Sequence, residues 1–185
     1  MNELEETFFT TIGQKILKLM IKYPDKQFYE REIAKLAKVS VGGANQVLKE
    51  LGDLNLFEKQ TKGRMNFYKI NLKNAIVREL KILSNLIHLQ PLIKTIKSSS
   101  LKIILFGSSA EGTNINESDY DLFIVTDNPK KIEKIITQSM FKNKVQAIIK
   151  NPFEQEKLIS ENETLWQEIE RGIVLYEKEE RGNVA

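Results

Sequence analysis

Two carboxylates one residue apart, Asp119 and Asp121, follow a Gly107-Ser108 pair after ten intervening residues. An apolar run precedes the glycine and another follows the second carboxylate, so each half of the pattern adjoins a predicted strand. Side chains alternate faces along a strand, which places the two carboxylates on one face. Paired carboxylate oxygens suit Mg²⁺, which usually binds a few protein oxygens together with substrate phosphates. A Gly-Ser turn offers backbone N–H groups and a hydroxyl to phosphate oxygens. These residues therefore predict a nucleoside triphosphate site with a divalent metal.

The alternative for these carboxylates is a strand that simply begins beside a surface loop, since Asp-x-Asp is a short pattern with a high false-positive rate. The Gly-Ser half of the pattern makes this alternative weaker. A Gly-Ser turn after one apolar strand, followed at fixed distance by Asp-x-Asp before another, favours a functional site.

The complete pattern resembles the nucleotidyltransferase superfamily that includes DNA polymerase beta, kanamycin nucleotidyltransferase and the minimal nucleotidyltransferases of prokaryotes. Further matching positions are Ala110, Gly112, Ser118 and Leu122. The resemblance implies Mg²⁺- or Mn²⁺-dependent transfer of a nucleoside monophosphate from a nucleoside triphosphate, with ATP the expected substrate. It implies metal ligation and catalysis by Asp119 and Asp121, and nucleotide binding by Gly107, Ser108 and Ser118.

A third carboxylate is missing from its expected place. Active members of this superfamily usually carry one on a later strand, whereas the later apolar run, residues 144–150, has Gln146 as its polar residue. An amide is neutral and cannot act as a general base. The sequence therefore leaves catalysis open. The alternative is a DNA-binding regulator or antitoxin whose degenerate domain senses nucleotide or a partner protein.

Composition predicts an ordinary globular protein in the cytoplasm. Of 185 residues, 41% are hydrophobic and 29% charged, with no cysteine for disulfides or thiolate metal sites. No apolar run is long enough for a membrane span, so no membrane partner is expected. Residues 1–97 carry 17 Lys or Arg against 10 Asp or Glu, whereas residues 98–185 carry 11 against 15. A basic half followed by an acidic half predicts two modules.

The basic half predicts helices over 10–22, 28–37 and 41–54, then strands over 56–60 and 65–70 around a Gly63 turn. This order, with a tight turn before Ser40, resembles winged helix-turn-helix DNA-binding domains. The expected DNA contacts lie on the last helix and the hairpin: Ser40, Asn45, Gln46, Lys49, Lys62 and Arg64. Gly42 and Gly43, also expected to face outward, suggest that another group approaches the backbone closely. Two alternatives stay open, since these side chains could be merely solvated and some winged helices bind proteins.

The predicted organisation has three parts: a winged helix-turn-helix domain at 1–70, a helical linker at 71–98, and a minimal nucleotidyltransferase domain at 99–185. The fold class is α/β (α+β), with a mixed sheet in the last part. Asn71 is expected to cap the linker helix and Pro91 to open or kink its continuation. The linker could pair with a second copy in a homodimer. By the resemblance, the acceptor could be a protein, such as a toxin of the HEPN type.

Overall fold

The computed structural model describes residues 3–179. The first two and last six residues, which the predicted domains 1–70 and 99–185 include, lie outside the described residues. The chain divides into two compact units, one formed by residues 1–88 and 112–117 and the other by 89–111 and 118–185. Within residues 3–179, no helix combines the length and the apolar character that crossing a membrane would require.

The first unit contains helices and a small antiparallel sheet. Its elements in chain order are α1 (Glu3–Phe8), α2 (Ile12–Lys22), β1 (Phe28–Tyr29), α3 (Glu30–Ala37), α4 (Val41–Asp53), β2 (Phe57–Lys62), β3 (Met65–Ile70) and the first part of α5 (Ala75–Ile96). The sheet order is β1-β3-β2, and both pairings are antiparallel. The two longer strands meet at a turn in which Gly63 has φ +60°.

Local sequence sets the limits of these helices. Thr11 and Gln14 form a reciprocal capping box at the start of α2. Lys38 ends α3 in the left-handed conformation, and the Ser40 hydroxyl accepts from the Gly43 N–H to begin α4. The unit is held by a shared apolar core, whose fully buried members include Ile16, Met20, Ile33, Ala44, Leu48 and Val77.

Two predicted boundaries in this unit are wrong. Phe28 and Tyr29 do not begin a helix, because they pair with Tyr68 and Phe67 as a short strand. Asn71 does not cap the linker helix, which begins at Ala75, where the Asn74 side chain accepts from the Ile76 N–H. Asn71 is buried instead, and its amide donates to the Asn55 carbonyl.

Helix α5 runs without interruption through Pro91, so the proline neither ends it nor opens a new one. Proline inside a helix removes one backbone hydrogen bond and costs about 3 kcal/mol. Flanking residues Leu89, Leu92, Ile93 and Ile96 are all buried. Burying each leucine or isoleucine contributes about 1.5–3 kcal/mol, which outweighs the loss.

The second unit is built on a mixed four-stranded sheet in the order β6-β5-β4-β7. Its elements after α5 are β4 (Lys102–Phe106), α6 (Ser108–Glu111), β5 (Tyr120–Val125), α7 (Pro129–Gln138), β6 (Val145–Lys150), α8 (Pro152–Glu161), α9 (Glu163–Glu170) and β7 (Ile173–Glu177). Strand β4 pairs antiparallel with β5 and β7, whereas β5 pairs parallel with β6. This mixed α/β arrangement confirms the predicted mixed sheet.

One face of this sheet is covered by α8 and α9. The Trp166 ring meets the Phe123 ring edge-on, with centroids 5.8 Å apart, in a core that also holds Ile104, Phe106 and Ile169. Trp166 is therefore a packing residue. Phe123 follows Asp121 by two residues on the same strand, so this face continues into the paired carboxylates.

Candidate active site

The turn after β4 meets the start of β5 at one end of the sheet. Phe106, the last residue of β4, is the antiparallel partner of Asp121. The next residue, Gly107, has φ +66°, a conformation that L side chains rarely adopt. A Cβ atom on Gly107 would lie 2.7 Å from Oδ2 of Asp121. Glycine is therefore favoured here for two reasons: the backbone has a positive φ, and a side chain would collide with Asp121.

A serine hydroxyl closes the loop between the two halves of the pattern. Ser109 is fully buried, and its Oγ donates to the Asp119 carbonyl at 3.2 Å. The amide N–H groups of Ala110 and Glu111 donate to the Gly107 carbonyl, which forms the single turn of α6. Ser109 therefore ties the turn to the first carboxylate residue, a role that the sequence analysis did not assign.

The two carboxylates influence each other electrostatically. Both side chains are only partly exposed. The pKa of Asp121 is raised, first by burial, then by the negative charge of Asp119 and finally by that of Glu168 on α9. Because a neighbouring negative charge opposes ionisation of Asp121, a cation bound beside the two carboxylates would favour the ionised form of Asp121. The arrangement suits a divalent cation.

Gln146 occupies the adjacent strand at the level of the carboxylates. It is the parallel partner of Asp121 in the register of β5 and β6, and its Nε2 donates to Oδ2 of Asp119 at 2.9 Å. The amide thus holds one oxygen of a carboxylate that is expected to bind metal. This contact places Gln146 in the site, where the sequence had indicated only that a carboxylate was missing.

Glu168 is the carboxylate that sequence reasoning missed. It lies on α9 between Trp166 and Ile169, which pack on the sheet face that carries Asp121. Glu168 is exposed on a helix, so the sequence pattern could not distinguish it from a glutamate that only faces solvent. Only the packing of α9 on the sheet brings its charge within reach of Asp121.

The side chains at this site supply only part of the ligand set that a metal ion needs. Across residues 3–179, no group of three or more His, Cys, Asp or Glu side chains is arranged to bind a metal ion. Asp119 and Asp121 supply two hard oxygen ligands. Mg²⁺ commonly completes its shell with waters and substrate phosphates, so a two-carboxylate site fits this ion when a nucleotide accompanies it.

The structure brings together four of the predicted nucleotide-site residues at this end of the sheet. Gly107 and Asp121 are juxtaposed, Asp119 is joined to the turn through Ser109, and Ser108 begins α6. Ser118 is partly buried and directly precedes Asp119 in the chain.

The predicted DNA-contacting residues lie in the first unit. Asn45, Gln46 and Lys49 are exposed on one side of α4, together with Gly42. Lys62 and Arg64 are exposed on either side of Gly63. Ser40 is exposed, but its hydroxyl caps the N-terminus of α4 by accepting from the Gly43 N–H.

Gly43 has an internal explanation. A Cβ on Gly43 would lie 2.7 Å from Cδ1 of Ile12, whereas one on Gly42 would meet nothing within 4 Å. Gly43 therefore permits the close packing of α2 on α4. The close approach expected at Gly43 is therefore found within the protein, whereas the prediction that Gly43 faces outward is wrong.

Comparison with known families finds a match in the C-terminal half of the chain. Residues 90–181 match the family model described as polymerase beta, nucleotidyltransferase. The matched segment contains both halves of the Gly-Ser and Asp-x-Asp pattern, and the predicted resemblance is confirmed for this segment. The comparison supports a nucleotidyltransferase domain there.

A solved structure from Sulfolobus solfataricus, described as a candidate nucleotidyltransferase, is similar to part of the chain. The two are 13% identical with a TM-score of 0.38, and the match covers 58% of this chain and 94% of the other. No curated protein matches the chain.

Proposed function

We propose that this protein is a Mg²⁺- or Mn²⁺-dependent nucleotidyltransferase of the cytoplasm. It would transfer the nucleoside monophosphate of ATP to an acceptor hydroxyl, and the bond between the α- and β-phosphates would break to release pyrophosphate. The observation that carries the proposal is the juxtaposition of Asp121 with Gly107, and of Asp119 with the same turn through Ser109. It lies in the segment that matches a nucleotidyltransferase family.

In this proposal Asp119 and Asp121 hold the divalent ion, and Gly107 and Ser108 hold the terminal phosphates of the nucleotide, with Ser118 beside them. When bound, the ion would neutralise charge on the phosphates and orient them. Gly107 has a positive φ at the end of β4, and in this proposal its backbone and the Ser108 hydroxyl meet the phosphate oxygens beside the carboxylates. Gln146 fixes the orientation of Asp119 through its amide.

The first unit is proposed to be a winged helix-turn-helix domain that tethers the transferase to DNA. The order of helices, the three-stranded sheet and the exposed Asn45, Gln46 and Lys49 on α4 support this assignment. Asn and Gln can contact adenine edges, while Lys62 and Arg64 suit the phosphate backbone.

Transfer is tested with ATP labelled at the α-phosphate, supplied with Mg²⁺ or Mn²⁺ and cell extract. The label should pass to an acceptor, and label at the γ-phosphate should not. Asp119→Asn and Asp121→Asn should abolish incorporation. Asp127→Asn, which changes an exposed aspartate beyond the other end of β5, serves as the matched control and should retain it.

A second function is favoured by the Gln146 contact with Asp119. If this amide prevents turnover, the protein would be a DNA-binding regulator or antitoxin that senses nucleotide or a partner. Nucleotide binding without incorporation from any extract would favour this second function. A toxin of the HEPN type, captured and labelled by the wild-type protein, would favour the enzyme.

The DNA proposal has a separate test in the salt dependence of binding. Affinity should fall steeply with salt, because released counterions drive association. Lys49→Ala with Arg64→Ala should lower the salt slope by about one for each phosphate that is no longer neutralised. Lys130→Ala with Lys131→Ala, at exposed positions of α7, provides a control pair. A slope that is flat in the wild type would contradict DNA binding.

A further inference from the structure

The connection between the two halves of the pattern is fixed by side chains of α5. Residues 112–117 form neither helix nor strand, and they join α6 to the residues before Asp119. Because this segment spans the gap between Ser108 and Asp119, its path helps to determine where the turn and the first carboxylate can lie. A loop without anchors would lose conformational entropy each time the site assembled.

Asn114 is the centre of this anchorage. It is 8% exposed, and Asn85 on α5 is 6% exposed. The two side-chain amides bond reciprocally: Asn85 Nδ2 donates to Asn114 Oδ1 at 3.0 Å, and Asn114 Nδ2 donates to Asn85 Oδ1 at 3.4 Å. Each buried amide thus satisfies the other, which fixes the loop against the helix.

Lys81 adds a charged anchor one turn earlier on α5. It is 2% exposed, and its Nζ donates to the backbone carbonyl of Asn114. Burial lowers the pKa of Lys81, partly opposed by the negative charge of Asp25. A buried ammonium is costly unless it is hydrogen-bonded, so this group favours the loop path that presents the Asn114 carbonyl.

The loop backbone also packs directly on the helix backbone. Gly112 is buried with φ +70°, and a Cβ there would lie 2.6 Å from the Arg78 carbonyl oxygen. Arg78, Lys81 and Asn85 of α5 thus lie against the loop between Gly112 and Asn114. They are spaced three and four residues apart. These spacings place them on one side of the helix.

We propose that Lys81 and Asn85 are positioning residues for nucleotidyl transfer, which hold the segment 112–117 in the path that assembles the nucleotide site before substrate arrives. This inference rests on the proposed function, because it assigns the two residues to the same site. They act through the loop and do not contact substrate.

The test compares Lys81→Met and Asn85→Ala with Lys94→Met, which replaces an exposed lysine of the same helix. Calorimetric titration with a non-hydrolysable ATP analogue and Mn²⁺ gives a Kd and a stoichiometry for each full-length protein. If the two residues preorganise the loop, the Kd should rise about tenfold at unchanged stoichiometry, because binding must then order the loop. Lys94→Met should match the wild type.

A purely structural role gives a different pattern. Loss of folded protein would lower the stoichiometry and leave the Kd unchanged, and this result would overturn the positioning role. Hydrogen exchange of the 112–117 amides supplies a measurement independent of nucleotide. It should accelerate about tenfold or more in both variants, and unchanged exchange would also overturn the inference.

Failure of the proposed function is recognised separately. A wild-type protein that takes up no Mn²⁺-nucleotide would remove the nucleotide site, and with it any positioning role in transfer. A wild-type protein that binds, combined with variants that bind equally well, would overturn the positioning role alone.

Discussion

Replacing Gln146 by glutamate changes charge with little change in shape, directly beside Asp119. The wild-type amide donates to Oδ2 of Asp119 at 2.9 Å, and the strand register sets Gln146 opposite Asp121. The substitution removes this hydrogen bond and places a third negative charge in the site. Two opposite effects follow, one on the protein without metal and one on its affinity for a divalent cation.

Without metal, Gln146→Glu should lower the free energy of unfolding. A hydrogen bond to a charged group contributes about 1.5–3 kcal/mol, and repulsion between carboxylates adds to its loss. Since the Gln146 side chain is exposed, solvent screens the new charge and about 1–2 kcal/mol is the expected total.

With metal, the same variant should bind Mn²⁺ more tightly. Two unit charges 4 Å apart attract by about 1 kcal/mol in water and about 4 kcal/mol near a protein surface, and a divalent ion doubles the attraction. At the screened end of this range the gain is about 2 kcal/mol, or more than tenfold in affinity. Electron paramagnetic resonance of free Mn²⁺ measures this directly, with Gln155→Glu, on α8, as a control for added charge. Equal Mn²⁺ affinity in wild type and Gln146→Glu would refute the assignment of a metal site beside Gln146.

Three further predictions concern single positions. Gly107→Ala should abolish Mn²⁺-nucleotide binding and destabilise the fold by at least about 1–2 kcal/mol, since an L residue is strained at positive φ and its Cβ would displace the neighbouring carboxylate; retained binding in a titration would contradict this. Burial and the neighbouring Glu30 raise the pKa of Tyr68 to about 12 from 10.0, so the folded protein keeps a proton that the unfolded chain loses between these values. Its free energy of unfolding should therefore fall by about 1 kcal/mol per pH unit in this window, and denaturant titrations of Tyr68→Phe should lack that part of the slope. Gly42→Ala should raise stability by up to about 1 kcal/mol through helix propensity, whereas Gly43→Ala should give no gain because its Cβ would meet α2; equal effects on the melting temperature would oppose this packing.

The candidate site could be predicted from the sequence where local pattern determines structure. The apolar runs before Gly107 and before residue 126 correspond to β4 and β5, and Asp121 lies in β5 while Asp119 immediately precedes its first residue, Tyr120. The capping role of Ser40 was equally accessible, because an N-cap depends on neighbouring residues alone.

Tertiary contacts account for what the sequence did not predict. Phe28 and Tyr29 become a strand only because β3 lies beside them, at positions far along the chain. Pro91 stays inside α5 because apolar burial on both sides outweighs the one hydrogen bond that it removes.

Tertiary contacts that the sequence did not predict also shape the candidate site. Glu168 approaches Asp121 through the packing of a helix on a sheet, and no spacing in the sequence encodes that approach. The anchorage of Asn114 by Lys81 was likewise unpredictable, since the two residues are separated by 33 positions.

Calorimetric titration of the full-length protein with a non-hydrolysable ATP analogue, in Mg²⁺ and again in EDTA, tests the central claim most directly. Joint ligation by Asp119, Asp121 and the Gly107 turn predicts uptake in Mg²⁺, strong weakening in EDTA, and loss of uptake in Asp119→Asn with Asp121→Asn. Absence of uptake by the wild type, or equal uptake by the doubly substituted protein, would contradict it.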